Sequence, residues 1–139
     1  MDLRQLSPEI AVTPQIDIED LPALAEAGFR VLINNRPDHE VGPDLDSIAM
    51  GRAAEAAGLT YFYIPFTPGE ITPEMITGFA EAMAASGPKV AYCRSGNRSS
   101  VLWGLSQAGK RPTEEIIETA ANAGYDLSPV RRLIDSLAS

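Results

Sequence analysis

Lys89-Val90-Ala91-Tyr92-Cys93-Arg94-Ser95-Gly96-Asn97-Arg98-Ser99-Ser100 is the stretch on which the fold turns. A short apolar run ends on the only cysteine of the chain, and a polar loop with one glycine follows. Val101, Leu102, Leu105 and Ala108 then recur at helical spacing. A strand that passes through such a loop into a helix points backbone N–H groups inward, and the helix N-terminus adds positive potential there. The result is an anion cradle, and its field favours the thiolate form of a cysteine at the rim. Arg98 closes the loop with a planar fork suited to a tetrahedral or carboxylate-like anion. Cys93 is therefore the candidate nucleophile and Arg98 the anion ligand, with Arg94, Ser95, Gly96, Asn97 and Ser99 forming the cradle. The competing reading is a structural cysteine on a core strand. It does not explain why strand, cysteine, glycine loop, arginine and helix occur together.

Outward from the loop, strand and helix signals alternate. Ser7 to Ile16, with Pro8 and Pro14 near its ends, reads as an edge strand. Asp17 precedes a helical pattern that stops at Gly28. Phe29 to Asn34 is a strand, Asn35 to Asp46 a polar loop, and Ser47 to Ala57 a helix. Leu59 to Phe66 is an aromatic-rich strand. Thr72-Pro73-Glu74 carries the cap, proline and acid of a helix start, and that helix reaches about Ala85. Helices alone follow Cys93: one to Gly109, one from Thr113, one from Ser128-Pro129. The order predicts one domain over residues 1–139. Its class is α/β: a small, mainly parallel sheet of about four to five strands with helices on both faces. Ligands of such sheets sit at the carboxyl ends of the strands. The loops Asn35 to Asp46, Thr67 to Thr72 and Cys93 to Arg98 should meet there.

The 139 residues carry a formal charge of −8, which argues against nucleic acid as a partner. No apolar run approaches a membrane span, and Met1-Asp2-Leu3-Arg4-Gln5 does not resemble a signal peptide. These features and the lone cysteine predict a cytoplasmic protein with no membrane partner. One cysteine and one histidine, His39, do not make a zinc site, so neither metal nor other cofactor is expected.

The residues 92–99, Tyr-Cys-Arg-Ser-Gly-Asn-Arg-Ser, resemble the active loop of single-domain rhodaneses, which are sulfurtransferases. The order of elements resembles dual-specificity protein phosphatases. The combination resembles a bacterial family, the phosphatase-like domain of beta-lactamase-hydrolase-like proteins. Thr13-Pro14-Gln15-Ile16, Ile33-Asn34-Asn35-Arg36-Pro37-Asp38 with Glu40, and Ala91 to Ser99 with Leu102-Trp103 carry that resemblance. It implies a cysteine-phosphatase-like fold and a Cys-dependent enzyme. Relatives can carry this domain fused to a persulfide dioxygenase, which implies a link to sulfide metabolism and a persulfide-metabolising enzyme as partner. Two departures from the phosphatase pattern stand out. Tyr92 occupies the place of a histidine. Four residues separate Cys93 from Arg98, one fewer than in those phosphatases.

Sulfur transfer and phosphoryl transfer both begin at Cys93 and differ in the leaving group. A phosphate ester of tyrosine or serine needs a general acid, because the departing oxygen is basic. Phosphatases of this type usually place an aspartate before the cysteine strand, and no aspartate lies between Asp46 and Cys93. Glu70, in a Pro-Gly turn, and Asp38 are the candidates. Asp38 is read either as an acid, as a partner of Arg98 or Arg94, or as a turn residue. Sulfite or a thiolate leaves without an acid. The sequence therefore favours sulfurtransferase or persulfide chemistry, with phosphoester hydrolysis through a phosphocysteine as the alternative and an inactive anion- or partner-binding module as a third reading. The substrate is a small anion: thiosulfate, a persulfide or a phosphate ester. Arg36, Glu70 and Gln15 are candidates to touch substrate or support those that do. Trp103 is read as core and His39 as surface.

Overall fold

Five strands form one sheet in the order β1-β2-β5-β3-β4 in a computed structural model that describes residues 1–139. The strands are β1 (Arg4–Ser7), β2 (Ile10–Thr13), β3 (Val31–Asn34), β4 (Thr60–Tyr63) and β5 (Lys89–Tyr92). Only β1 runs antiparallel, against β2; the other three pairings are parallel. The α/β class and the mainly parallel sheet are as the sequence predicts. The single edge strand expected over Ser7 to Ile16 is instead a hairpin. Pro8 lies in its turn and Pro14 just beyond its end, so neither proline interrupts a ladder. β2 is thereby an inner strand, and β1 takes the edge.

Six helices cover the sheet: α1 (Leu21–Glu26), α2 (Ser47–Ala56), α3 (Pro73–Ala84), α4 (Asn97–Ser106), α5 (Thr113–Asn122) and α6 (Arg131–Ala138). The two-residue alternation of the strands decides which helix lies on which face. Leu32, Val90 and Tyr92 pack with Leu21, Leu24, Met50 and Ala54 under α1 and α2. Val31, Ile33 and Ala91 pack with Phe79, Leu102, Trp103, Ile116 and Ile134 under α3 to α6. Trp103 is fully buried, as expected of a core residue. α4 is enclosed from Ser99 to Ser106, beyond its first two residues, which accounts for its lack of a polar face. The start of α3 follows its signature: Thr72 Oγ1 accepts from Met75 N, and Pro73 takes the first helical position. No helix is long and apolar enough to cross a membrane.

The register sets the last residues of four strands level. Thr13 and Asn34 both pair with Tyr92, and Asn34 pairs with Tyr63. The chain leaves all four parallel strands at this one edge.

Candidate active site

Asn35 joins three of the loops at that edge. Its N–H donates to Tyr92 O, and its carbonyl accepts from Phe66 N. Its side chain donates to Ile64 O at 2.8 Å and accepts from Ser99 Oγ at 2.8 Å. The residue is fully buried, and these bonds satisfy it. The segments after β3, β4 and β5 meet there, but β4 ends at Tyr63 and contributes Ile64 and Phe66, which the sequence placed within the strand, where Thr67 to Thr72 was expected.

Cys93 is buried at the head of its loop. Two residues past Ala91, it falls on the α4 side of the sheet. The loop turns at Gly96, which adopts φ 94°, a conformation that favours glycine, and is the residue preceding α4. Gly96 N donates to Cys93 Sγ at 3.1 Å. Asn97 N donates to Ser95 Oγ at 3.3 Å. The N–H groups of Arg94, Ser95, Arg98 and Ser99 find no acceptor within the protein. They are the orphan donors of a helix start and its loop, next to a sulfur.

Arg98 is held from behind. Its Nη1 donates to Glu40 Oε2 at 2.9 Å and to Phe66 O at 2.7 Å, and its Nη2 donates to Glu40 Oε1 at 2.8 Å. Three of the five guanidinium N–H groups are thus taken. The two left, on Nε and Nη2, form one edge of the plane, the geometry that grips an oxyanion with two parallel bonds. Burial is the largest single influence and works to lower the guanidinium pKa, but the Glu40 bonds and charge and the nearby Cys93 sulfur together outweigh it and raise it. In return, the Arg98 hydrogen bond is the main cause holding the Glu40 carboxyl below its usual range, with Arg36 adding to it.

Arg36 braces this pair. It donates to Glu40 Oε1 at 3.3 Å, to the Glu40 carbonyl at 3.2 Å and to Gln15 Oε1 at 3.0 Å. Gln15 N in turn donates to Arg94 O at 3.2 Å. Gln15 and Arg36 therefore support the site, and both are engaged with protein groups.

Two expectations are corrected. Asp38 neither pairs with Arg98 nor sits free as an acid. Its carboxylate accepts from Ser47 N and Ser47 Oγ, both at 2.7 Å, so it answers the orphan donors at the start of α2. The 3-10 turn Asp38–Glu40 is the reason: it sends Glu40 towards Arg98, two residues after Asp38. Glu70 is exposed in a turn closed by Glu70 N to Thr67 O, and its side chain bonds nothing. One cradle role also changes. The Ser99 hydroxyl is committed to Asn35, leaving only its N–H for an anion. Arg94, Ser95 and Asn97 are exposed at the rim, and His39 is on the surface as expected.

Glu40 and Asn35 are the functional residues missing from the sequence-based site. For Glu40 the signal was Arg36 and Glu40 four residues apart beside a proline turn. For Asn35 it was a polar residue directly after an apolar strand.

The profile described as "Beta-lactamase hydrolase-like protein, phosphatase-like domain" matches residues 2–110. The chain belongs to that family. A beta-lactamase hydrolase-like protein of Agrobacterium fabrum is 32% identical over 134 residues, covering 94% of this chain and 31% of that protein. This member of the phosphatase-like domain family thus spans about a third of the curated relatives it matches. A candidate phosphatase from Neisseria meningitidis superposes with a TM-score of 0.82 at 33% identity, over 99% of both chains. P. aeruginosa TpbA shares the fold at 14% identity and a TM-score of 0.71, over 99% of this chain and 89% of its own; a cysteine-to-serine variant of TpbA has been solved with phosphotyrosine. The phosphatase-like domain has the fold of cysteine-dependent protein phosphatases.

Proposed function

We propose that this domain hydrolyses phosphate esters with acidic leaving groups through a phosphocysteine on Cys93. One observation carries the reading: the Arg98 fork, fixed by Glu40 and Phe66, keeps its Nε–Nη2 edge free beside the sulfur and four unpaired N–H groups of the loop and the α4 start. That set of donors matches the peripheral oxygens of a phosphoryl group, whose charge must be stabilised in the transition state. The family and the phosphotyrosine complex of TpbA favour the same chemistry. They stand against the preference for sulfur transfer that the loop sequence suggested.

In the first step the Cys93 thiolate attacks phosphorus and the ester P–O bond breaks, its electron pair leaving on oxygen. In the second step water attacks phosphorus, loses a proton to solvent, and the S–P pair returns to sulfur. Protonating the leaving oxygen is the difficulty. Glu40 is held ionised by two arginines, Asp38 is bound to Ser47, and Glu70 faces solvent. With no carboxylic acid placed to donate, the substrates are esters whose oxygen departs as a stable anion.

The same gap favours a second reading. In sulfane transfer the thiolate attacks the outer sulfur of thiosulfate and the S–S bond breaks onto sulfite; an external thiolate or cyanide then takes the outer sulfur, the S–S pair returns to Cys93, and no acid is needed. The loop of four residues between Cys93 and Arg98, shorter than a phosphatase's, also suits a single terminal sulfur.

The test compares kcat/KM for 4-nitrophenyl phosphate, phenyl phosphate and thiosulfate with cyanide as its sulfur acceptor, with Cys93→Ser as the blank. The proposal predicts turnover of the nitrophenyl ester, a steep fall for the phenyl ester, and none with Cys93→Ser. Turnover of thiosulfate alone would replace it with the sulfur reading. Activity in folded Cys93→Ser would remove both.

A further inference from the structure

We propose that Tyr125 is a positioning residue for Cys93, its hydroxyl holding the peptide that presents the Gly96 N–H to the sulfur. Tyr125 follows α5, outside the segment that the family profile matches. Its hydroxyl donates to Ser95 O at 3.3 Å. Ser95 C=O and Gly96 N–H belong to one peptide plane, and Gly96 N donates to Cys93 Sγ at 3.1 Å. The plane is therefore gripped at both ends: carbonyl towards Tyr125, N–H towards sulfur. A carbonyl flip would break both bonds and turn a carbonyl dipole, negative end first, on the thiolate.

The close approach also shows from the glycine side. A Cβ built on Gly96 would stand 2.3 Å from the Tyr125 hydroxyl oxygen. Gly96 thus serves two ends: it tolerates φ 94°, and it leaves room for the phenol directly over the loop. The ring is itself fixed from the sheet edge. The Arg4 guanidinium lies 5.8 Å from the ring centroid, and its Nη1 donates to Ala123 O at 3.0 Å. Burial pushes the Tyr125 phenol above its ordinary value, so it keeps its proton at neutral pH and remains a donor. The C-terminal helices thereby have a task beyond covering the sheet: they deliver the group that locks the active loop.

The proposal rests on Cys93 being the nucleophile, and one arm of its test needs no substrate. Tyr125→Phe keeps the ring and removes the bond. In 15N–1H spectra of the folded variant, the Gly96 amide proton should move upfield relative to wild type, while amides on the far face of the sheet stay in place. With whichever substrate the wild type turns over, kcat should fall about fivefold, the rate equivalent of one neutral hydrogen bond, with KM within about twofold. An unchanged Gly96 amide in folded Tyr125→Phe would overturn the proposal. So would a shifted amide with kcat unaltered, since the held peptide would then do nothing for the sulfur. If neither protein turns over any substrate, the amide arm still decides whether the hydroxyl sets the peptide, and the fault lies with the proposed function.

Discussion

Replacing Glu40 by glutamine tests how the site is held together. Glu40 accepts two bonds from Arg98, at 2.8 and 2.9 Å, and one from Arg36 at 3.3 Å. The exposed fractions of the Arg98 and Glu40 side chains are 12% and 19%, so the pair is only partly screened. Glutamine keeps the shape and one oxygen. It puts an NH2 group where the second oxygen accepted, donor against donor, and leaves two guanidinium groups without a counter-charge. A hydrogen bond to a charged group contributes about 1.5–3 kcal/mol, and partial exposure places this loss near the low end, about 1.5–2 kcal/mol. If the fork is free to rotate, that loss appears in the transition state as a fall in kcat/KM of about 10–30-fold. The assay is hydrolysis of 4-nitrophenyl phosphate at neutral pH, with thiosulfate in parallel and thermal unfolding on the same samples. Glu40→Gln within twofold of wild type in kcat/KM, at equal folding, would refute the claim that Glu40 orients Arg98.

Three further outcomes follow from the same bonds. Glu40 has a lowered folded-state pKa, so its contribution to stability is present above the unfolded carboxyl's value of about 4.3 and is lost as pH falls through the folded value; the stability gap between wild type and Glu40→Gln should close on acidification through that window, and a gap independent of pH would contradict the assignment. Asn35→Ala strands Ile64 O and Ser99 Oγ in the interior and should cost about 2–4 kcal/mol in denaturant unfolding; a loss under about 0.5 kcal/mol would remove Asn35 as the hub. Asp38→Asn should weaken the start of α2 by about 1 kcal/mol and leave the ratio of nitrophenyl to phenyl ester turnover unchanged, whereas a selective loss on the phenyl ester would make Asp38 the acid after all.

The strand–loop–helix around Cys93 was legible because its signals are local: an apolar run, a glycine that must take positive φ, and a helical period begin and end within twenty residues or so. That the chain would converge after β3, β4 and β5 was legible too, since parallel strands release their chains at one edge; that Ile64 and Phe66 would do it was not, because their apolar side chains read as more strand. The β1–β2 hairpin was not. A turn holding Pro8 and a strand flanked by prolines give the same composition, and only the register separates them. The choice of Glu40 over Asp38 as the partner of Arg98 hangs on one 3-10 turn, which rotates two neighbouring acids to opposite tasks. Tyr125 gave no signal at all. Its position over Gly96 depends on how α5 packs against α4, a contact between segments far apart in the chain.

A covalent intermediate on Cys93 can be caught by rapid-quench mass spectrometry of the intact protein during turnover of 4-nitrophenyl phosphate. A phosphoryl adduct should map to the peptide containing Cys93, build up before steady state and be absent from Cys93→Ser. Steady turnover with no adduct on Cys93, or an adduct formed only from thiosulfate and carrying one extra sulfur, would contradict it.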